Sequence, residues 1–261
     1  MENEMQMNEF FHTTDRLGLF SKNYLAKMGW HHSINGIPHN NDGLVPWITY
    51  PAFRQLKRIV KPDFQVFEFG CGASSIWWAA NVANVISVEH DAAWAARVAA
   101  EKPHNLTLVV REMDTALDPK HAKALEPFFA ANPELPLSPD RLHNIMHGLL
   151  SREFMAYAAE LMRYPAGTFD VIAVDGMARS LTAWLAGQYV KSGGFVLFDN
   201  SDRWQYNAGF RALAAQGFRR IDYYGPGPVN VIEWCTSIFA KSLDPFCNAT
   251  ESPHGDNDLG W

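Results

Sequence analysis

The sequence has only three cysteines in 261 residues, Cys71, Cys235 and Cys247, too few and too widely spaced for a disulfide framework. It has no CxxC pair to hold zinc through thiolates. Positive charge is scarce as well: 22 Lys and Arg stand against 28 Asp and Glu, a net −6, which argues against a broad nucleic-acid-binding face. No apolar run approaches the ~18 residues that a membrane span needs. The opening MENEMQMNEF is acidic where a secretory leader is basic and then greasy, so a soluble, cytoplasmic chain is expected. Internal repeats and low-complexity tracts are missing. What is there is ordinary globular composition, 48% hydrophobic and 19% charged, which excludes disorder along the whole chain and suits one large α/β domain.

Residues 1–50 are polar and aromatic, with His31, His32, His39, Asn40, Asn41 and Gly43 clustered before Pro46; a short helix and then a loop are expected there. Pro51 can open a helix, since its missing N–H would be unpaired in the first turn, and Phe53, Leu56, Ile59 and Val60 follow at helical spacing until Lys61 and Pro62 end it. Strand and helix then alternate. QVFEF (65–69), VISV (85–88), LTLVV (106–110), VIAV (171–174) and FVLF (195–198) read as strands, with helices over 74–83, 92–100, 181–189 and around 210–214. Two more strands, near 218–223 and 235–239, are joined by a Gly/Pro loop without a helix and read as an antiparallel hairpin. The whole predicts a Rossmann-like, doubly wound α/β fold whose seven-stranded sheet is mostly parallel with that hairpin at one edge.

The segment 111–165 breaks the rhythm, with five prolines before Pro165. Leu142, Ile145, Met146 and Leu149, entered through Ser138 and Pro139, read as one amphipathic helix, and Phe154, Tyr157, Ala158, Leu161 and Met162 as another. We read it as an insertion over the sheet within a domain spanning 51–240, flanked by an extension at 1–50 and a tail at 241–261.

Chemistry concentrates at strand ends. Glu68-Phe69-Gly70-Cys71-Gly72-Ala73-Ser74 sits where a strand hands over to a helix, and its glycines let the backbone turn sharply and approach a ligand. Glu89 ends the second strand 19 residues after Gly70, the separation that puts a carboxylate on a ribose diol. A plain turn and a surface glutamate at a strand end are the alternatives for these two features.

The series Glu68-x-Gly70-x-Gly72, Glu89-His90-Asp91, DVIAVDG (170–176) and Gly193-Gly194-Phe195 resembles the class I S-adenosylmethionine-dependent methyltransferases. PWITYPA (46–52), VFEFGCGASSIWWA and VISVEHD are similar to an uncharacterised branch of that superfamily, and the resemblance spans roughly residues 46–111 and 169–240. It implies S-adenosylmethionine as cofactor, with Glu68, Gly70 and Gly72 at the methionine end, Glu89 on the ribose and Asp114 near the adenine. Trp77 and Trp78 read as helix packing.

Asp175 ends the fourth strand, and Asp199-Asn200 ends the fifth, so three oxygen-bearing side chains converge on the carboxyl edge of a parallel sheet. They suit Mg²⁺ or another divalent cation. The set resembles the catechol-type O-methyltransferases, which implies Asp175, Asp199 and Asn200 as catalytic and metal-binding residues. Where those enzymes carry a lysine three positions after the first aspartate, this chain has Ala178, followed by Arg179. Asp175, Asp199, His90, His143 and His147 are the candidate bases. His143 and His147 stand four apart on a presumed helix, but no third ligand accompanies them, and His31 and His32 read as loop residues. Asp202 and Arg203 face the acceptor side or form a surface ion pair, and the loop from Tyr223 to Trp234 closes over the acceptor or is a plain hairpin tip.

These features predict methylation of a small molecule, at oxygen, with a divalent ion as possible assistant. A nicotinamide-dependent oxidoreductase and a non-catalytic nucleoside-binding module are the competing readings. No nucleic-acid or membrane partner is expected, and the oligomeric state has no signature in the chain.

Overall fold

Short apolar runs bounded by turns become the strands of one central sheet in the computed structural model, which describes residues 18, 21–135, 140, 143–144, 148–149 and 151–246. The strands are β3 (Gln65–Phe69), β4 (Asn84–Glu89), β5 (Leu106–Val110), β6 (Phe169–Val174), β7 (Val190–Asp199), β8 (Arg219–Gly225) and β9 (Trp234–Ala240). They lie in the order β5-β4-β3-β6-β7-β9-β8. Pairings from β5 through to β7 are parallel, while β9 runs antiparallel to both β7 and β8. The seven-stranded, mostly parallel sheet with an antiparallel hairpin at one edge is as the sequence predicts. Its order reverses between β3 and β6, the place where such sheets leave a crevice for a ligand.

Period-two alternation divides the core between the faces. Phe67 and Phe69 of β3, Ile172 and Val174 of β6, and Val196 and Phe198 of β7 pack on one side with Phe128, Tyr157 and Leu181. Val66, Val171, Ala173, Phe195 and Leu197 pack on the other with Phe53, Leu56, Trp77 and Trp78. The helices that cover these faces are α1 (Tyr50–Ile59), α2 (Ala73–Asn81), α3 (Ala92–Ala100), α4 (Pro119–Ala131), α5 (Met155–Ala159), α6 (Arg179–Tyr189) and α7 (Asn207–Ala215). Pro51 sits in the first turn of α1, as expected, and both tryptophans of α2 are buried.

Two stretches differ from expectation. The loop expected before Pro46 contains a hairpin of β1 (His39–Asn40) and β2 (Gly43–Leu44), whose turn is held by the Asp42 N–H on Asn40 Oδ1 at 2.8 Å. Within 111–165, α4 was not anticipated, because Pro127 lies inside it and reads as a breaker. Its start carries a legible signal: Asp118 caps the helix by accepting from the His121 N–H at 3.0 Å, and Pro119 follows. The stretch from Phe154 to Met162 is helical as α5, then tightens into a 3₁₀ turn over Glu160–Arg163. Ser138, Pro139, Leu142, Ile145, Met146 and His147 of the other expected helix lie outside the described residues. Among the described residues no helix is long and apolar enough to cross a membrane.

Candidate active site

The crevice at the strand-order reversal is built from backbone first. Gly70 leaves β3 at φ 94°, and a Cβ there would stand 2.8 Å from the Asp175 carbonyl oxygen. Only glycine lets the turn after β3 lie against the turn after β6. The Gly70 N–H donates to the Val88 carbonyl at 2.8 Å and the Asp175 N–H to that of Phe69 at 3.1 Å, so the ends of β3, β4 and β6 are tied together. Gly176 is equally confined, since a Cβ on it would fall 2.0 Å from the Tyr157 hydroxyl.

Glu68 lies under this bend, 2% exposed. Its Oε2 accepts from the Ser75 hydroxyl at 2.5 Å and the Ser87 hydroxyl at 2.7 Å, and Ser75 Oγ in turn accepts the Gly72 N–H at 3.1 Å. The carboxyl is therefore an internal strut for the glycine turn, reaching the ligand side through Ser75. Burial pushes its pKa up to about 7, against hydrogen bonds from Ser74, Ser75 and Ser87 that favour the charged form.

Glu89 and the bend come together as the 19-residue spacing requires. Oε2 accepts the Cys71 N–H at 2.9 Å, and Oε1 accepts the His90 and Asp91 N–H groups, each at 2.8 Å, with His90 Nδ1 at 2.7 Å. Burial alone would raise this carboxyl, but these partners outweigh it and hold the pKa below the ordinary range. With Oε1 saturated, the capacity left for an outside hydroxyl is on Oε2. His90, a candidate base from sequence, is thus a partner of Glu89. Trp94, half-exposed, donates from Nε1 to the Cys71 carbonyl at 2.6 Å and brings its ring edge to 3.9 Å from the Cβ position of Gly72. Burial, with the charges of Glu89 and Glu68, pushes the Cys71 thiol far up, so it stays protonated. Asp114 stands exposed in the loop after β5, left-handed at φ 57°, its N–H on the Glu153 carbonyl at 2.8 Å.

Beside the bend opens a cleft of about 330 Å³, lined by Trp47, Asp175, Asp199, Asn200, Arg203, Asn230 and Trp234. The three residues singled out for metal and catalysis do converge. Asp199 is 4% exposed, and its Oδ1 accepts from Trp234 Nε1 at 3.0 Å and Thr236 Oγ1 at 2.5 Å. Burial and the nearby Asp175 charge raise its pKa above the usual carboxylate range.

Between these oxygens lies a cation supplied by the chain. After Asp175-Gly176, Ala178 turns left-handed at φ 51° and starts α6, which throws Arg179 back over the strand end. Its Nη2 meets Asp175 Oδ1 at 3.0 Å, Nη1 donates to Asn200 Oδ1 at 3.1 Å and to the Asp199 carbonyl at 2.8 Å, and Nε donates to the Gly176 carbonyl at 2.9 Å. Asn200, at φ 54°, is fixed by the same group. This donor set does not fit the divalent ion that the catechol-type resemblance implies, because the ion would need oxygens at ~2.1 Å that already face a guanidinium. Among the described residues no group of three or more His, Cys, Asp or Glu could hold a metal.

Of the two alternatives for Asp202 and Arg203, Arg203 lines the cleft, while Asp202 turns to β9 and accepts the Cys235 N–H at 3.2 Å. His31 and His32 lie on a 3₁₀ turn, Trp30–Ser33, where a loop was expected. Sequence reading missed Trp47 as a cleft wall and Trp234 and Thr236 as donors to Asp199. The last two alternate along β9, and their partner across the ladder is β7, so the pairing alone reveals them.

No family model matches the sequence, and no curated protein is significantly similar to it. Among solved structures it is similar to a TehB-like SAM-dependent methyltransferase from Corynebacterium glutamicum, 12% identical with a TM-score of 0.44, covering 86% of this chain and 100% of that one. A methyltransferase-like protein from Silicibacter pomeroyi is 20% identical over 74% of this chain and 87% of its own, with a TM-score of 0.39. Spermidine synthase from Thermotoga maritima is 14% identical with a TM-score of 0.43, and the chain spans 58% of its length. Similarity this distant carries no chemistry, which rests on the residues above.

Proposed function

We propose that the protein transfers a methyl group from S-adenosylmethionine to a small molecule, at an oxygen, in the cytoplasm. One observation carries this reading: the glycine bend and the acidic cleft share a wall. A Cβ on Gly70 would stand 2.8 Å from the carbonyl of Asp175, a residue that lines the cleft, so a ligand seated on the bend would lie beside it.

When bound, S-adenosylmethionine supplies a methyl on a sulfonium, whose in-line displacement neutralises charge and depends on alignment and exclusion of water. The residues to hold it are Gly70 and Gly72, which let a ligand approach the backbone, Glu89 through Oε2, and Asp114 at the open end. Asp199 is the proton acceptor for the acceptor hydroxyl. Among the described residues its side chain receives neutral donors only, Trp234 and Thr236, whereas Asp175 is engaged by Arg179. Trp47 and Trp234 supply apolar walls, and Arg203 and Asn230 supply polar contacts for a small acceptor.

Calorimetry with S-adenosylhomocysteine and, separately, with NAD(H) tests the cofactor. Binding of the first alone supports the reading, and binding of NAD(H) alone, or of neither, overturns it. Cofactor turnover over a panel of phenols, sugars and amines then separates an enzyme acting at oxygen from one acting at nitrogen and from a binding module.

A further inference from the structure

The catechol-type resemblance and the geometry disagree about what sits among Asp175, Asp199 and Asn200. We propose that Arg179 is the resident cation of this cleft, standing where a divalent ion would otherwise be held, and that the protein binds no metal there. Its guanidinium has five N–H groups. Four of them are spent on Asp175 Oδ1, Asn200 Oδ1 and the carbonyls of Gly176 and Asp199. These include two of the three side-chain oxygens that a metal would require. The side chain is only 11% exposed and lies over the Tyr206 ring, 5.4 Å from its centre, so packing as well as charge holds it in place.

An ion binding the same oxygens would have to displace a largely buried guanidinium or stand against it as a like charge, and either is costly. Arginine keeps its charge at any working pH, so the cation is permanent and needs no loading from solution. Arg179 has two effects if the cleft is the acceptor site proposed above. It pairs with Asp175, while among the described residues the Asp199 side chain makes no ion pair. It also locks the left-handed Asn200 turn, which fixes the end of β7 that carries Asp199. Arg179 is thus a positioning residue.

The test is Mn²⁺ titration of the full chain followed by electron paramagnetic resonance, which reads metal binding whether or not the cofactor reading holds. The wild-type protein is expected to show no saturable Mn²⁺ site. Its melting temperature should be unmoved by EDTA or by Mg²⁺. Arg179→Ala leaves the oxygens in place without the guanidinium and is expected to gain a saturable Mn²⁺ site, which Asp175→Asn added to it removes. A saturable site in the wild type that Asp175→Asn abolishes would overturn the proposal, as would a folded Arg179→Ala that stays blind to Mn²⁺. Should Arg179→Ala fail to fold, the wild type and Asp175→Asn decide by themselves. Failure to bind S-adenosylhomocysteine would remove the methyltransferase reading and leave the Mn²⁺ result standing.

Discussion

The backbone N–H of Cys71 donates to the Glu89 carboxylate at 2.9 Å, fastening the turn after β3 to the end of β4. One side chain therefore both shapes the bend and offers it an acceptor for a ligand hydroxyl. Glu89→Ala should abolish S-adenosylhomocysteine binding in calorimetry. It also orphans the N–H groups of Cys71, His90 and Asp91, so chemical denaturation should show a loss of about 1–3 kcal/mol. Unchanged affinity in a folded variant would sink the assignment.

Glu68 gives the fold a pH signature. Its folded pKa of about 7 lies above the ordinary 4.5, so the folded state binds the proton more tightly than the unfolded chain does. The stability it contributes is complete below the unfolded value and is lost as pH rises towards the folded one, by about 3 kcal/mol. Glu68→Gln should abolish that slope, and urea denaturation of both proteins across the window would show it. Parallel curves would rule out a protonated Glu68.

Asp199→Asn should lower turnover about 100-fold or more, the usual worth of a positioned base. In the wild type the rate should rise with pH as Asp199 loses its proton, on a limb above the range of a free carboxylate. Trp234→Phe removes a donor that favours the charged form and should move that limb to higher pH. A limb that survives Asp199→Asn would point to another base.

Gly176→Ala should destabilise the protein by about 1–3 kcal/mol, since the new methyl would fall on the Tyr157 hydroxyl. Adding Tyr157→Phe should recover part of the loss only, because the Gly70 nitrogen also stands 2.9 Å from that position. Full recovery would place the strain in the hydroxyl alone.

The sheet was legible wherever a strand is a short apolar run between turns. QVFEF and LTLVV fall on β3 and β5 residue for residue, and the Ala-rich helix on Ala92–Ala100. Glu89 and the glycine turn were found together because their spacing is local to one βαβ unit. Helix α4 was hidden in the proline-rich 111–165 stretch, since Pro127 lies inside it. The donors to Asp199 come from residues 35 and 37 positions further on, and such partners are set by ladder register, which no local pattern carries. Arg179 was noted as the residue after Ala178, but its inward turn depends on a left-handed alanine, a conformation that alanine does not advertise.

The groups that hold Asp199 sit on β9, which follows β7 and β8 along the chain but lies between them in the sheet. A nascent polypeptide still lacking residues 234–240 has the glycine bend already translated but no tryptophan or threonine to steady the carboxylate at the end of β7. On the proposed reading, a product stopped before residue 234 would keep the bend assigned to the cofactor but lack the donors that steady the assigned base.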